Sequence, residues 1–195
     1  MNLAVFIDRD GVLNQDPPHY AHRLDQLALI PRSDDAIKLL KDNGYLVIVI
    51  SNQSGVARGY YTENEVSSFN IALLTEIKKN GGDIDAIYYC PHHPDAKIEK
   101  YRLTCNCRKP KPGMLLQAAK EHNIDLQKSY VVGDKWSDIE AGKNAGCQTI
   151  LVLTGHGTDE SLKMKEDNCP LAADLYEAVN KYIIGKSNSI DVKEI

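Results

Sequence analysis

The sequence predicts an α/β protein with helices on both faces of a parallel sheet. Short apolar segments recur along the 195 residues, and each is nearly continuous, whereas a half-exposed strand would alternate apolar with polar residues. Helical patterns separate these segments. Strands that alternate with helices form parallel sheets through right-handed crossovers. We therefore expect a three-layer α/β domain.

Five apolar segments are the predicted strands. Runs this short and this apolar are typical of strands that are buried on both faces of a sheet. In chain order the predicted strands cover residues 3–7, 46–50, 86–89, 130–132 and 149–153.

The segments between the strands carry helix signals. Ser33 is a candidate N-cap, and Gly44 follows the helix that it would begin. Thr62 and Glu65 predict a capping box at the start of a helix that ends near Gly81. The other predicted helices cover residues 113–122, 137–145, 159–165 and 175–184. We expect one domain over residues 1–184 and a tail over 185–195.

Composition and charge argue against several classes of partner. Hydrophobic residues make up 43% of the chain, charged residues make up 26%, and the formal net charge is -4, so we expect neither nucleic acid nor a membrane as partner. No apolar run approaches the roughly 20 residues that span a bilayer. Acidic residues follow the first apolar run, where a signal peptide would continue. We expect a cytoplasmic, monomeric protein.

Polar residues follow the predicted strands at the sheet edge where α/β proteins bind ligands. Asp8 and Asp10 follow the first strand, Ser51 the second and Asp134 the fourth, while Lys109 lies in a long loop after the third. A carboxylate that approaches a phosphate is repelled by it, and a cation offsets this repulsion. Carboxylates gathered with a lysine and a hydroxyl therefore indicate phosphoryl transfer.

The same residues predict a magnesium-dependent phosphatase. The ion would be held by the carboxylates of Asp8 and Asp134 and by the backbone carbonyl of Asp10. Asp8 would attack phosphorus, and Asp10 would serve as general acid and base. Lys109 and Ser51 would stabilise the transferring oxygens. To be protonated near pH 7, Asp10 needs a pKa about 3 units above the usual ~3.9, which burial beside another carboxylate supplies in part.

A second group of metal-ligating residues lies in the loop over residues 90–107. Cys90, His92, Cys105 and Cys107 supply three thiolates and one imidazole, a sufficient set for a tetrahedral zinc site. His93 is adjacent to His92 and offers an alternative imidazole. Four protein ligands leave no open position, so we expect a structural zinc that orders a loop too long to be left without structure.

The motifs of the chain resemble those of the haloacid dehalogenase superfamily. Four segments carry the resemblance: 8–14 (DRDGVLN), 51–55 (SNQSG), 108–110 (RKP) and 133–135 (GDK). The closer resemblance is to the histidinol-phosphatase and heptose-bisphosphate phosphatase branch. It implies a Rossmann-like core, an aspartyl-phosphate on Asp8, magnesium at Asp8, Asp10 and Asp134, and His92 as the zinc-binding imidazole.

We expect an open site without a large cap domain, because the segments after the first two motifs have room only for loops and one helix. The loop side chains expected to bind substrate are Asp16, His19, Ser51, Asn52, Gln53, Ser54, Arg108, Lys109 and Lys135. Arg108 is the candidate for holding a second phosphate. Whether Asp138 contributes to the magnesium site stays open.

The zinc loop and the segment 108–114 are similar to those of the heptose-bisphosphate enzymes. This similarity implies removal of the 7-phosphate of D-glycero-D-manno-heptose 1,7-bisphosphate, in nucleotide-activated heptose synthesis. Histidinol phosphate or another small sugar phosphate is the alternative substrate. The sequence is also compatible with a phosphotransferase or mutase, a polynucleotide end phosphatase or a catalytically silent zinc-stabilised interaction module.

Overall fold

The computed structural model describes residues 1–18, 20–163 and 168–185, and a six-stranded parallel sheet forms its centre. The strands are β1 (Ala4–Ile7), β2 (Leu46–Asn52), β3 (Ala86–Cys90), β4 (Tyr130–Gly133), β5 (Gln148–Val152) and β6 (Leu171–Ala172). Their order across the sheet is β3-β2-β1-β4-β5-β6. The five predicted strands and the α/β class are confirmed. The sixth strand is only two residues long, too short to leave a periodic signal.

Helices cover both faces of the sheet. They are α1 (Ser33–Asp42), α2 (Ser54–Arg58), α3 (Glu63–Lys79), α4 (Gly113–His122), α5 (Trp136–Ala145), α6 (Gly157–Lys163) and α7 (Leu175–Glu177), which continues as a π-helix over Ala178–Ile184. Apolar residues of α1, α3 and the π-helix pack on one face, and those of α4 and α5 on the other. The three predicted layers are therefore confirmed. No helix in the described parts of the chain is long and apolar enough to cross a membrane.

The central strand shows why the sheet needs two covering layers. Successive side chains of a strand point to opposite faces. Val5 and Ile7 accordingly join the core on the α1 side, while Ala4 and Phe6 join the core on the α4 side. All four residues are 0% exposed, which explains the absence of polar alternation in this segment.

The register of the sheet positions the site. Ile7 at the end of β1 pairs with Val49 of β2 on one side and with Val132 of β4 on the other. The backbone N–H of Asp8 still donates to the carbonyl of Val132, at 3.0 Å. The residues that follow these three strands are consequently brought to one edge, as the sequence predicts.

Two helix starts differ in how far local sequence determines them. Thr62 accepts a hydrogen bond from the N–H of Glu65, whose carboxylate accepts one from the Thr62 N–H, so the predicted capping box is confirmed. The predicted Ser33 cap is wrong. Arg32 occupies the N-cap position with φ at 65°, and Ser33 is the first helical residue, whose hydroxyl donates to the carbonyl of Leu13 at 3.3 Å. A tertiary contact therefore replaces the local cap.

Several predicted bounds also change. The segment after the second motif forms two helices, α2 and α3, instead of one. The helix predicted over 159–165 is α6, and its last two predicted residues lie outside the described residues, as does the predicted tail beyond Gly185.

Candidate active site

Three carboxylates meet at the edge of the sheet formed by the ends of β1 and β4. Asp8, Asp134 and Asp138 each place an oxygen within 4.8 Å of the others. All three are buried, with Asp134 0% exposed. Asp138 lies in the first turn of α5, and its backbone N–H donates to the carbonyl of Lys135. The sequence left open whether Asp138 contributes to the magnesium site, and the structure places its carboxylate beside the other two.

Lys109 joins two of these carboxylates. Its Nζ lies 2.8 Å from Asp8 Oδ1 and 2.6 Å from Asp138 Oδ1, and it donates to the carbonyl of Ile50 at 2.9 Å. Burial lowers the pKa of Lys109, but the charges of Asp138 and Asp8 outweigh burial and raise it. The lysine is therefore a cation fixed beside the predicted nucleophile.

The two carboxylate oxygens of Asp134 differ in their contacts. Its Oδ2 accepts a hydrogen bond from the N–H of His156 at 2.8 Å, while its buried Oδ1 has no hydrogen-bond partner among the described residues. Burial, followed by the charge of Asp8, raises the pKa of Asp134 to about 8. A buried, partly unpaired carboxylate beside a second one is favourable when a cation lies between them. The donor set, which consists only of oxygens, fits magnesium.

Two glycines leave room around Asp134. A Cβ at Gly11 would lie 2.2 Å from Asp134 Oδ2, and a Cβ at Gly155 would lie 2.3 Å from the same atom. Both glycines also have positive φ angles, of 94° and 56°, which side chains rarely tolerate. The carboxylate is thus packed against backbone, which leaves it little freedom to move.

Asp10 is held by Arg9. Nε and Nη2 of Arg9 donate to the two oxygens of Asp10 at 3.0 and 2.8 Å. Arg9 is 1% exposed, and its other N–H groups donate to Asn70 Oδ1 and to the carbonyl of Ala21. Burial raises the pKa of Asp10; the Arg9 guanidinium opposes this shift, and the charge of Asp8 adds to it. The direction is the one that a general acid at neutral pH requires.

Gln53 supports both Asp10 and Ser51. Its Nε2 donates to Asp10 Oδ2 at 2.9 Å and to Ser51 Oγ at 2.7 Å, and its Oε1 accepts from the Tyr61 hydroxyl at 2.8 Å. Gln53 is 1% exposed and does not line the hollow that opens over Asp8, Asp10 and Ser51. The structure thus gives Gln53 a supporting position beside Asp10 and Ser51, and its predicted substrate contact stays a prediction. Ser51 Oγ accepts from Gln53, so its own hydrogen can point to a ligand.

Asn52 fixes the backbone of Lys109. Its side-chain oxygen accepts from the Lys109 N–H at 3.0 Å, and its Nδ2 donates to the Lys109 carbonyl at 3.1 Å. The end of β2 and the loop after the zinc ligands are therefore joined. Asn52 and Lys109 are 57 residues apart in sequence, and this contact positions the lysine beside the carboxylates.

A hollow of about 230 Å³ opens over these groups, and we call it the inner hollow. Its lining includes most of the predicted substrate-binding residues, together with three that the sequence did not single out for this role, Tyr20, Ser137 and Asp138. The lining residues are Asp8, Asp10, Asp16, Tyr20, Ser51, Asn52, Ser54, Arg108, Lys109, Lys135, Ser137 and Asp138. His19, also predicted to bind substrate, lies outside the described residues.

Lys135 extends across the rim of the inner hollow. Its Nζ lies 3.0 Å from Asp16 Oδ2 and 3.9 Å from Asp134 Oδ2. Burial lowers the pKa of Lys135, and the charges of Asp8, Asp134 and Asp16 outweigh this effect and raise it. Asp16 also lies 3.2 Å from Nε2 of His156. The Asp16 loop is therefore tied to the loop after β4.

The four predicted zinc ligands gather in one cluster. The three Cys Sγ–Sγ distances are 3.1, 3.1 and 3.5 Å, and His92 Nδ1 lies 3.4 Å from Cys107 Sγ and 3.7 Å from Cys90 Sγ. A tetrahedral ion with bonds of about 2.3 Å to sulfur places sulfurs about 3.8 Å apart, so the cluster is compact enough to hold zinc. His93 does not belong to this group. Of the two imidazoles the sequence offered, the geometry therefore favours His92.

Two arginines lie beside His93. Arg58 Nη2 is 3.4 Å from His93 Nε2, and Arg108 Nη1 donates to the carbonyl of His92 at 3.3 Å. Burial, and then the charges of Arg108 and Arg58, lower the pKa of His93. Both guanidiniums therefore lie close to the His92–His93 segment.

Sequence reasoning missed Arg9, Asn70 and Tyr61 as parts of the site. The position of Arg9 in the sequence gives a weak indication of its role, because a charged residue between two aspartates at a buried strand end needs partners. Asn70 and Tyr61 lie on or beside α3, and nothing in their spacing connects them with the first strand.

Known proteins show the same organisation. Residues 106–178 match a family model described as HAD-hydrolase-like. The heptose-1,7-bisphosphate 7-phosphatase of Pasteurella multocida is 48% identical over 164 residues, which cover 84% of this chain and 88% of the relative. The enzyme of that name from Escherichia coli K12 is 41% identical over 180 residues, which cover 91% of this chain and 94% of the relative.

A solved structure extends the comparison. The D,D-heptose 1,7-bisphosphate phosphatase from B. bronchiseptica, complexed with magnesium and phosphate, superposes with a TM-score of 0.84 at 32% identity and covers 95% of this chain and 99% of its own. These similarities confirm the resemblance that the motifs carry. The chain belongs to the heptose-bisphosphate phosphatase family of haloacid dehalogenase-like hydrolases and is a phosphoric monoester hydrolase.

Proposed function

We propose that this enzyme removes the 7-phosphate of D-glycero-D-manno-heptose 1,7-bisphosphate through a covalent aspartyl-phosphate on Asp8. The observation that carries the proposal is the meeting of Asp8, Asp134 and Lys109 at the strand ends, within a hollow open to solvent. Relatives that are 41–48% identical to this chain are phosphatases of this heptose bisphosphate, which supports the choice of substrate. The reaction fits what the residues of the site can do.

Asp8 acts as the nucleophile. Asp8 and Asp134, joined by Asp138 or the backbone of Asp10, would hold magnesium, which supplies charge neutralisation between the carboxylate and the phosphate when bound. Lys109 fixes the orientation of Asp8 through its contact with Oδ1. Oδ2 of Asp8 is the oxygen that would attack phosphorus in line with the leaving sugar oxygen.

Asp10 donates a proton to the leaving sugar oxygen and takes one from the hydrolytic water. Its carboxyl group is largely buried, with 15% of the side chain exposed, and faces the inner hollow. Arg9 and Gln53 hold both of its oxygens, so the group keeps its orientation as its proton leaves and returns. A second half-reaction by the same group completes hydrolysis.

Lys109, Ser51 and backbone N–H groups stabilise the transferring oxygens. Preorganised donors at a buried site provide more stabilisation than the same donors in water. Among the substrate-binding predictions, Asp16, Asn52, Ser54, Arg108 and Lys135 line the inner hollow, as such contacts require.

The zinc proposal rests on Cys90, His92, Cys105 and Cys107, which surround a point next to the loop that carries Arg108 and Lys109. We propose that zinc is structural and fixes where these two cations point. We also propose a cytoplasmic protein, because the thiols of Cys90, Cys105 and Cys107 would stay reduced there and able to bind zinc. We also propose a monomer, which size-exclusion chromatography with light scattering tests.

The decisive experiment measures phosphate release from heptose 1,7-bisphosphate, histidinol phosphate and fructose 1,6-bisphosphate at equal concentration, with magnesium and in magnesium-free buffer. We expect the heptose to be hydrolysed fastest, and only with magnesium. Asp8→Asn should lower kcat at least about 10⁴-fold on every substrate, because it removes the nucleophile. The matched control is Asp42→Asn, which changes an exposed aspartate paired with Lys38. Preference for histidinol phosphate would reject the heptose, and an active Asp8→Asn variant would reject the mechanism.

A further inference from the structure

A second hollow adjoins the inner hollow, and we call it the outer hollow. It measures about 570 Å³ and shares three lining residues with the inner hollow. Those three are Asp16, Tyr20 and Lys135. The remaining lining residues are Pro17, Pro18, Arg58, Tyr60 and His156. A ligand whose phosphate lies beside Asp8 can therefore extend outward into this space.

Arg58 in the outer hollow has donors that nothing in the described residues uses. Its Nε is buried without a hydrogen-bond partner, and its guanidinium pairs with no carboxylate of the described residues. Within the parts of the chain that the structure describes, its Nη2 meets only the ring of His93, at 3.4 Å. Arg9, in contrast, directs its donors to Asp10, Asn70 and a carbonyl. Because leaving a buried N–H unpaired costs free energy, Arg58 is suited to an anionic partner from outside the chain.

Arg108 adds a second uncompensated cation. It lines the inner hollow, and within the described residues no carboxylate pairs with it. Arg58 Nη2 lies 3.4 Å from His93 Nε2, and Arg108 Nη1 donates to the carbonyl of the neighbouring His92 at 3.3 Å, so both guanidiniums lie close to one short segment. The one carboxylate lining the outer hollow, Asp16, is already paired with Lys135 and lies beside His156. The border between the two hollows is therefore positively charged.

We propose that Arg58 binds the non-reacting phosphate of the bisphosphate substrate together with Arg108. The planar fork of a guanidinium matches two phosphate oxygens, and two arginines can share one dianion. Tyr20 and Tyr60, whose rings are 5.9 Å apart, offer apolar surface to the sugar between the phosphates. Arg58 touches no reacting atom and acts as a specificity residue. This inference rests on the proposed function and deepens it.

Kinetics on a matched substrate pair tests the assignment. We compare heptose 1,7-bisphosphate with heptose 7-phosphate, using the wild type, Arg58→Gln and Arg58→Lys at saturating magnesium. Arg58→Gln should lower kcat/KM for the bisphosphate about tenfold to a hundredfold, mainly by raising KM. Its activity on the monophosphate should stay within about twofold. Arg58→Lys should keep part of the preference, since lysine retains the charge but not the fork.

The control is Arg102→Gln, which removes the same charge from the zinc loop, where an exposed Arg102 donates to the carbonyl of Ala96. This variant should leave kcat/KM for both substrates unchanged. If Arg58→Gln lowers kcat/KM equally for both substrates, Arg58 has a structural role and the inference is overturned. An unchanged preference for the bisphosphate over the monophosphate would overturn it as well. If the wild type instead favours fructose 1,6-bisphosphate over fructose 6-phosphate and Arg58→Gln abolishes that preference, the heptose is rejected while the Arg58 assignment stands. A wild type with no preference for either bisphosphate would overturn it.

Discussion

The carboxylate site and the zinc loop are both clusters of metal-ligating residues, but they are built differently. Asp8, Asp134 and Asp138 follow or flank strands of the main sheet. A buried lysine, Lys109, pairs with two of them, Asp8 and Asp138. The zinc cluster has only thiols and an imidazole in contact with one another, at the ends of a loop with one short 3-10 turn, Glu99–Tyr101. The first cluster is held in place by the fold, whereas the second holds its loop in place.

This difference predicts different roles for the two proposed metals. If the cation is lost from the carboxylate site, the fold still holds the carboxylates in place, but the repulsion among these buried charges is no longer offset. In the zinc loop, loss of the cation removes the main cross-link, and only neighbouring contacts remain. Two of these are hydrogen bonds from the hydroxyls of Tyr89 and Tyr101 to Glu63, at 2.9 and 2.5 Å. Removing each metal should therefore affect different properties.

Of the three variants that test this comparison, Asp134→Asn should have the largest effect. It should lower activity at saturating magnesium by about a hundredfold or more, because a metal-binding carboxylate is lost. In magnesium-free buffer the same variant should unfold at a higher temperature than the wild type, by at least about 2 °C at pH 8. Calorimetry with and without magnesium measures both states.

The pH dependence gives the sign of this stability effect. Burial and the charge of Asp8 raise the pKa of Asp134 to about 8, against ~3.9 in the unfolded chain. Between these values the folded state binds more protons, so the stability of the magnesium-free wild type falls as pH rises from about 4 to 8. Asn does not titrate, and the difference in Tm should widen over this range. A constant difference between pH 5 and pH 8 would show that Asp134 is not strained by its charge.

The second effect comes from Cys105→Ser in the zinc loop. Atomic spectroscopy should show that the variant has lost about one zinc per chain. We also expect Tm to fall by about 5 °C or more and proteolysis within residues 94–104 to become faster. Activity should fall about tenfold, because Arg108 and Lys109 directly follow the cluster. Far-UV circular dichroism should stay that of the wild type, since the sheet does not depend on the loop.

The matched control is Cys169→Ser, which changes a thiol outside the cluster, beside the carbonyl of Thr149. It should keep its zinc and its activity. A Cys105→Ser variant with unchanged protease sensitivity would contradict the idea that the metal orders this loop.

Sequence patterns revealed these two regions to different extents. Strand order and residue type placed Asp8 and Asp134, because apolar runs locate the strands and parallel strands end at one edge. The four residues of the proposed zinc site were identified from residue type alone, and the structure brings them together. The contact between Lys109 and Asp138 was not, since it depends on how far the loop reaches back across β2, which is fixed by the tertiary contact of Asn52.

Partners across the interior were harder still to predict. Tyr61 and Gln53 are eight residues apart with α2 between them, and their hydrogen bond requires Gly55, where a Cβ would lie 2.0 Å from the Tyr61 ring. The Ser33 prediction failed for a related reason, because a local propensity yielded to the hydroxyl's contact with Leu13. Local signals therefore located the reacting groups, and tertiary packing supplied the groups that orient them.

The smallest effect separates orientation from chemistry at the carboxylate site. Tyr61→Phe removes the hydroxyl that donates to Gln53 Oε1 and leaves that oxygen unpaired, so Gln53 holds Asp10 and Ser51 less firmly. We expect kcat to fall about threefold to tenfold with KM unchanged, the effect of one weakened hydrogen-bond network. Tyr182→Phe is the control, since its hydroxyl donates to the carbonyl of Leu171. A change in KM instead of kcat would show that this network orients the substrate and not Asp10.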